Sequence, residues 1–429
     1  MEKEYKKEEK RVGLYGLGTV GSGVVELLLK KRRIESGIKF TLKKIFEKDV
    51  SKFKKFHIPS DMQSFDFDEI LEDSNIDIVI ELIGGINPAK EIILRALENG
   101  KDVITANKAL VAEEFKLIFS KAREKGRKLG FNASLLGASP LLKTLNADLV
   151  AGKKLQKISG VLNGTTNYIL TQMEKGSNFD EALKKAQVEG YAEYDATLDI
   201  EGMDTAHKIC ILLNSVYGVS LKPNAFPVEG IKKISLEDIK FAEELGYKIR
   251  LLATMSYLRG KYDIRVCPYL VPKNHIFSFF EGVQNGIEVR SIEGGVMGYE
   301  AAGAGKYPAA YAVVNNLTSI YQENGFPLLE DLKKNPSFNF EVIDNVEFRY
   351  YLKFNVIDKV GVLSKISSIF AKFNISIDSV IQKGKENAKI VPLVLITHKA
   401  KEGSLQKAIK EIDRLDVVKQ KTALIRLFD

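Results

Sequence analysis

The sequence predicts an α/β protein in three parts: a doubly wound parallel sheet, an α+β middle region and a small βαββαβ module at the C-terminal end. Three observations carry this. Residues 11–133 alternate short apolar runs of strand character with runs of helical period, the pattern of βαβ units. From Ser134 the helical patterns lengthen, and a β-rich stretch, Leu251–Val271, follows them. Residues 349–429 read strand, helix, strand, strand, helix, strand. A chain of 429 residues also exceeds what one ordinary core accommodates.

In order, the first part is expected to hold a strand at Arg11–Tyr15, a helix at Ser22–Lys31, and strands at Thr41–Phe46 and Ile76–Leu82. A helix at Pro88–Asn99, a strand at Asp102–Thr105, a helix at Glu113–Lys125 and a strand near Leu129–Ala133 follow. The middle region carries helical patterns at Phe179–Glu189, Asp204–Tyr217 and Leu236–Leu245. A Gly-rich stretch, Gly294–Gly305, leads into a helical run at Tyr307–Gln322. Residues 323–348, polar with Gly325, Pro327 and Pro336, suit a linker. The last part expects strands at Tyr350–Val356, Ile377–Lys383, Ile390–His398 and Leu424–Phe428, with helices at Gly361–Asn374 and Ser404–Leu415. That order describes a ferredoxin-like module over 349–429. Residues 1–10, a Lys/Glu run, are expected to be disordered.

Composition excludes several classes. No apolar run approaches the roughly 18–20 residues of a membrane-spanning helix, and the N-terminal run has no apolar stretch that a secretory signal requires. Two cysteines, Cys210 and Cys267, lie far apart without metal-ligand spacing, which argues for a reducing, cytoplasmic compartment. The net charge of +8 is dispersed among mixed Lys/Glu stretches without interleaved aromatics, so nucleic acid is not an expected partner.

Gly16-Leu17-Gly18-Thr19-Val20-Gly21 follows an apolar strand and opens a helix. A lone GxGxxG is weak, but strand, motif and helix in that order make a Rossmann-type nucleotide-binding domain. Gly16 makes the turn, Gly18 admits a pyrophosphate, Gly21 allows close packing, and the helix start offers N–H groups to phosphate. The end of the second strand should read the adenosine ribose. It carries Glu47, Lys48 and Asp49, so both a carboxylate for a 2′-hydroxyl and a cation for a 2′-phosphate are present. NAD and NADP both remain open on these residues.

Two further segments carry reaction chemistry. Thr105-Ala-Asn-Lys108 follows a strand of the parallel sheet, at the end where such sheets bind ligands. Residues 189–208 hold Glu193, Asp195 and Asp199 in a loop-like stretch, then Asp204 and Lys208, four apart and on one helix face. An aldehyde reductase needs a proton or positive charge at the oxygen that becomes an alkoxide, and a lysine held by a carboxylate can supply it. Further carboxylates would hold an amino-acid substrate by its ammonium group. Taken alone, such an i,i+4 pair is ordinarily a surface salt bridge worth about 0.3–0.5 kcal/mol. His207 falls on another face and reads as structural.

Together the segments 13–25, 77–85, 103–111, 162–170 and 190–208, with Gly303-Ala304-Gly305 and Pro308, resemble the homoserine dehydrogenases, in the family's order. The resemblance implies NAD(P)-dependent interconversion of L-aspartate 4-semialdehyde and L-homoserine on the route to threonine and methionine. It implies a nucleotide-binding domain of 11–133 plus 306–322, a catalytic and dimerisation domain of 134–305, and a homodimer or homotetramer. It makes Lys208 the proton donor, sets Lys108 at the nicotinamide–substrate junction, and gives Glu193, Asp199 and Asp204 to the amino acid. Gly190 and Gly305 approach the cofactor. Where relatives build a structural sodium site, this chain has Asn132 in place of a usual Glu, with the carbonyls of Leu135, Gly137 and Ser139; an amide oxygen can still ligate a hard cation. Ala302, Lys306 and Ala196 replace a usual proline, glycine and proline. Lys48 stands where many relatives carry an arginine that meets the 2′-phosphate, which tilts the reading toward NADP. Rival readings are another amino-acid dehydrogenase or a nucleotide and amino-acid sensor without catalysis; a fused kinase segment before residue 11 is not expected.

Tyr351–Phe428 resembles an ACT domain, the amino-acid-sensing module that ends many of these enzymes. The match is Asp358-Lys-Val-Gly361-Val362-Leu363 at a strand-to-helix turn, then Asn374–Lys383. It implies an effector site, with threonine the ligand to test, the helix start at Asp358–Val362 for its carboxylate and Gln382 for a polar contact. Val360 replaces a common proline. A module that only assembles the protein is the other reading.

Overall fold

A computed structural model describes residues 8–29, 37–131, 141–142, 144–145, 154–302, 306–321, 339, 344–382 and 389–428. The chain divides into two compact units. One comprises 1–156, 204–225 and 285–338; the other comprises 157–203, 226–284 and 339–429.

The first unit opens with β1 (Glu8–Tyr15), α1 (Thr19–Leu29), β2 (Ile38–Phe46), α2 (Val50–Lys55), β3 (Gln63–Ser64), α3 (Glu69–Glu72) and β4 (Ile78–Glu81). It continues through α4 (Ala89–Glu98), β5 (Asp102–Thr105), α5 (Lys108–Glu124) and β6 (Leu129–Gly130). β1 begins three residues before Arg11, because Glu8, Glu9 and Lys10 already pair with Ile38, Lys39 and Phe40 of β2. The six strands run in the order β3-β2-β1-β4-β5-β6, with every pairing between neighbours parallel. Chain order reverses between β1 and β4, and that switch point is where such sheets bind ligands. α5 begins five residues earlier than the expected Glu113, because the Asn107 side chain caps it by accepting the Leu110 N–H at 3.2 Å.

The chain then forms β7 (Leu155–Val161), α6 (Gly164–Glu174), α7 (Phe179–Val188), α8 (Thr197–Ile200), α9 (Met203–Tyr217), α10 (Leu236–Glu244), β8 (Tyr247–Leu258), β9 (Lys261–Pro272), β10 (Gln284–Ser291), β11 (Gly295–Ala302) and α11 (Lys306–Ser319). The Gly-rich stretch is thus a strand over 295–302, and the acidic stretch contains a helical turn. α11 returns to the first unit's core, where Ala310, Val313 and Leu317 join Val12, Leu14, Ile78 and Ile80. Lys306 Nζ meets Glu26 Oε1 of α1 at 2.6 Å.

The last segment gives β12 (Glu347–Phe348), β13 (Tyr350–Ile357), α12 (Val362–Lys372), β14 (Ile377–Gln382), β15 (Ile390–Thr397), β16 (Ala400–Lys401), α13 (Glu402–Ile412) and β17 (Ala423–Leu427). Its core gathers Tyr350, Leu352, Phe354, Ile366, Phe370, Leu393, Leu405 and Ile409, the inward face of the sheet and of both helices. In the second unit the order is β7-β8-β9-β17-β13-β15-β14. β17 runs parallel to β9, Arg426 opposite Tyr269 and Leu427 opposite Leu270. The C-terminal βαββαβ module is therefore continuous with the β8–β9 sheet, and most of the expected linker lies outside the described residues.

Candidate active site

At the end of β1 the backbone turns at Gly16, whose φ is +96°; a Cβ there would stand 2.7 Å from the Leu82 carbonyl oxygen. At Gly21 a Cβ would fall 2.0 Å from the Gly16 oxygen, while around Gly18 it would meet nothing within 4 Å. The result is a tight turn with open space before Gly18 and the start of α1, a cradle that fits a pyrophosphate. Glu47, at the end of β2, secures this turn. Its Oε2 accepts the Leu17 N–H at 2.8 Å and pairs with Lys52 Nζ at 3.0 Å, and its Oε1 accepts the Asp49 N–H at 3.1 Å. Burial pushes this carboxyl up, but those donors outweigh it and hold it below its ordinary value. Lys48 is exposed.

Lys108 is the first residue of α5, a position that the helix dipole disfavours for a cation. It is compensated by Asp204, whose Oδ1 lies 2.8 Å from Lys108 Nζ. Asp204 stands in the first turn of α9, one turn before Lys208, and its Oδ2 meets Lys208 Nζ at 3.0 Å. One carboxylate thus bridges two ammonium groups. Asp204 is 8% exposed and Lys208 4%, which removes them from the class of solvated surface pairs. Removing one partner of such a buried pair strands the other and costs about 3–5 kcal/mol. His207 is buried beside them; burial pushes its imidazole below the usual value, against the pull of Asp204 and Glu113. A neutral histidine there agrees with a structural part.

In the second unit, the acidic stretch is organised from α6. Asn163 caps α6 through Thr166 N–H at 2.7 Å and donates from Nδ2 to Asp199 Oδ1 at 2.6 Å. Thr165 Oγ1 donates to the Tyr191 carbonyl at 2.6 Å, and Gln187 Nε2 to the Glu193 and Tyr194 carbonyls at 3.3 and 3.0 Å. Asp199 is half-buried on α8, Glu193 is exposed, and Gly190 turns the chain at φ +77°. Asp195, two residues before α8, accepts the Thr197 N–H at 3.0 Å. In the C-terminal module, Asp358, Gly361, Val362 and Gln382 line one cavity of about 560 Å³ together with Val356 and Ser364. Gly361 caps α12 at φ +85°, and Gln382 Nε2 points to Asp358 Oδ1 at 3.4 Å.

The structure thus joins Lys108 to the Asp204 and Lys208 pair, which the sequence offered on a separate segment, and gathers the four expected effector residues around one cavity. Gly305, Asn132, Leu135, Gly137 and Ser139 lie outside the described residues. Asn163, Thr165 and Glu81 are parts of these networks beyond the residues expected from the sequence. The signal for Asn163 was an Asn directly before a helical run; for Glu81 it was a carboxylate ending a strand of Ile, Val and Ile.

Residues 16–132 match the family model described as homoserine dehydrogenase, NAD binding domain. With the cradle, this defines the class: an NAD(P)-dependent oxidoreductase. Residues 140–318 match the homoserine dehydrogenase model and residues 350–416 the ACT domain. A homoserine dehydrogenase of Neisseria gonorrhoeae is 36% identical over 433 residues, 97% of this chain and 98% of that protein. The crystal structure of a homoserine dehydrogenase from Thiobacillus denitrificans superposes with a TM-score of 0.90 at 34% identity, covering 98% of this chain and 99% of that one. A hyperthermophilic archaeal homoserine dehydrogenase in complex with NADPH, 24% identical, shares the fold with a TM-score of 0.62 over 72% of this chain and 96% of its own. The chain belongs to the homoserine dehydrogenase family, and its reaction interconverts L-aspartate 4-semialdehyde and L-homoserine in amino-acid biosynthesis.

Proposed function

We propose that Lys208 is the group that gives a proton to the forming alkoxide in semialdehyde reduction and takes it back in homoserine oxidation. The observation that carries this is the Asp204 carboxylate shared by Lys208 and Lys108. The nicotinamide, when bound, supplies or receives the hydride at the carbonyl carbon. Asp204 fixes the direction of both ammonium groups, so positive charge stands ready before the oxygen becomes negative, which is the condition for electrostatic stabilisation of the transition state. Lys108, at the exit of β5, is assigned to the nicotinamide–substrate junction. Glu193 and Asp199, with Asp204, are assigned to the substrate's ammonium group; Asn163 and Gln187, which orient that stretch, support it. Gly16 to Gly21, Gly190 and Gly305 are assigned to the cofactor. The test is an assay of the purified protein with L-homoserine and each of NAD and NADP, in which homoserine-dependent reduction of either must appear.

NADP is the favoured cofactor. The support is that Glu47 is already held by Leu17, Asp49 and Lys52, which leaves exposed Lys48 as the group offered to a 2′-phosphate. Threonine is the proposed ligand of the cavity at Asp358, Gly361, Val362 and Gln382; its carboxylate would face the start of α12. A sodium ion at Asn132, Leu135, Gly137 and Ser139 is proposed on the family resemblance alone. A homodimer or homotetramer is supported by exposed Ile292 and Val296 at the β10 and β11 hairpin. A cytoplasmic location is supported by two free, buried cysteines, and no described helix is long and apolar enough to cross a membrane.

A further inference from the structure

Glu81 ends β4 fully buried, and no ion pair joins it among the described residues. A buried carboxylate without a cation is expensive unless donors surround it. Here they do. Oε1 accepts the Ile83 and Gly84 N–H groups at 2.8 and 3.3 Å, and Oε2 accepts the Thr105 hydroxyl at 2.7 Å. Thr105 Oγ1 in turn accepts the Asn107 N–H at 3.0 Å, and Asn107 Nδ2 reaches back to the Gly85 carbonyl at 2.5 Å. Asn107 is also the cap of α5, so its placement sets the first residue of that helix, Lys108. On the other side, the Leu82–Ile83 backbone lies against the Gly16 turn, too close for a Cβ there. The chain of contacts is unbroken within the first unit, from the Gly16 turn through 82–85, Glu81, Thr105 and Asn107 to Lys108, Asp204 and Lys208.

We infer that Glu81 is a positioning residue of the reaction, whose carboxylate, through Thr105 and Asn107, locks the loop after β4 to the turn after β5 and so fixes Lys108 and the Asp204-bridged lysine pair. The inference rests on the reading that Lys108 acts in the reaction. Burial pushes the Glu81 carboxyl above its ordinary value, while Thr105, Ile83, Gly84 and Asn107 pull it back; a group balanced this way needs every one of its donors. Core packing alone would have been satisfied by a leucine in an otherwise apolar strand.

The test compares Glu81→Gln, Thr105→Val, Thr105→Ser, the Glu81→Gln/Thr105→Val double variant and Lys108→Ala, each in the full chain. Thr105→Val keeps the volume and removes the hydroxyl that joins Glu81 to Asn107; Thr105→Ser keeps that hydroxyl. The expected result is a kcat lowered about 10–100-fold in Glu81→Gln and Thr105→Val, the range a small misplacement of reacting groups produces. NADPH dissociation constants, read by fluorescence titration, stay within about threefold because Glu47, not Glu81, holds the Leu17 N–H of the cradle. Thr105→Ser retains most of wild-type kcat, and the double variant is no worse than the poorer single one, as for residues acting as a unit. If Lys108→Ala is impaired while Thr105→Val turns over like the wild type, the inference about Glu81 is overturned. If Lys108→Ala itself retains wild-type kcat, the reading it rests on fails instead. Equal losses in Thr105→Ser and Thr105→Val, tracking a fall in thermal midpoint, assign Glu81 to stability alone and also overturn it.

Discussion

Arg426 and Glu402 form a two-point ion pair inside the second unit, Nε to Oε2 at 3.0 Å and Nη2 to Oε1 at 2.7 Å. Arg426 lies on β17 and Glu402 starts α13, and the same guanidinium reaches Glu229 Oε1 at 3.0 Å. Glu229 belongs to the strap that pairs with Val266 of β9 and whose next residues press on the carbonyl of Ile200, at the end of α8. The ACT module is thus tied into the β8–β9 sheet by backbone pairing, by charge and by packing.

Deleting everything after Asn345 should therefore do more than remove the proposed effector cavity. It takes β17 from beside β9 and Phe428 from a cluster with Tyr269, Phe277 and Phe280. The truncated chain is expected to be insoluble or inactive, and Phe428→Ala to cost about 3–5 kcal/mol. Denaturant unfolding checks the second; a truncated enzyme with full activity would contradict the first.

Acid should act through Glu402. Burial pushes its carboxyl up, but Arg426 outweighs burial and holds it at about 2. A folded value below the unfolded one contributes stability that is present above about pH 4.5 and lost as pH falls toward about 2. The thermal midpoint should fall across that window, and fall less steeply in Arg426→Met, which starts from lower stability. Parallel slopes in the two proteins would show that Glu402 does not set the acid response.

Lys48→Ala should raise KM for NADPH by about tenfold, the scale of one lost charge-assisted contact of about 1.5 kcal/mol, and leave KM for NADH nearly unchanged. Equal effects on both would return the ribose to Glu47 or Asp49.

Threonine inhibition is expected to weaken in Gln382→Ala and Gly361→Val, which alter one wall and the helix cap of the cavity, with couplings typically about 1–3 kcal/mol. Inhibition curves at several homoserine concentrations check this. Inhibition that competes with homoserine and ignores both substitutions would move the effector to the substrate residues.

Much of this was legible in the chain. The βαβ alternation, the glycine turn and the order of the C-terminal module follow from local periodicity, and β5 matches its expected bounds residue for residue. α5 starts before Glu113 and Glu114, whose charge resembles a helix beginning, because Asn107 caps it. By composition Gly294–Gly305 is only a Gly-rich stretch, yet strand pairing makes Gly295–Ala302 a strand. The parallel contact of β17 with β9 and the meeting of Lys108 with Asp204 join residues far apart in sequence. No local pattern encodes such contacts. Glu81 was hidden for another reason: a single acid in an apolar strand tells that donors must exist, but not which.

The central claim is that Lys208, held by Asp204, moves the proton. Its direct test is the turnover of Lys208→Ala with aspartate semialdehyde and NADPH, alongside NADPH binding by the same protein. The expected result is kcat lowered by roughly 10²–10⁴-fold, the usual scale for a general acid, with cofactor affinity nearly unchanged. A variant that binds NADPH and keeps near wild-type turnover would contradict it.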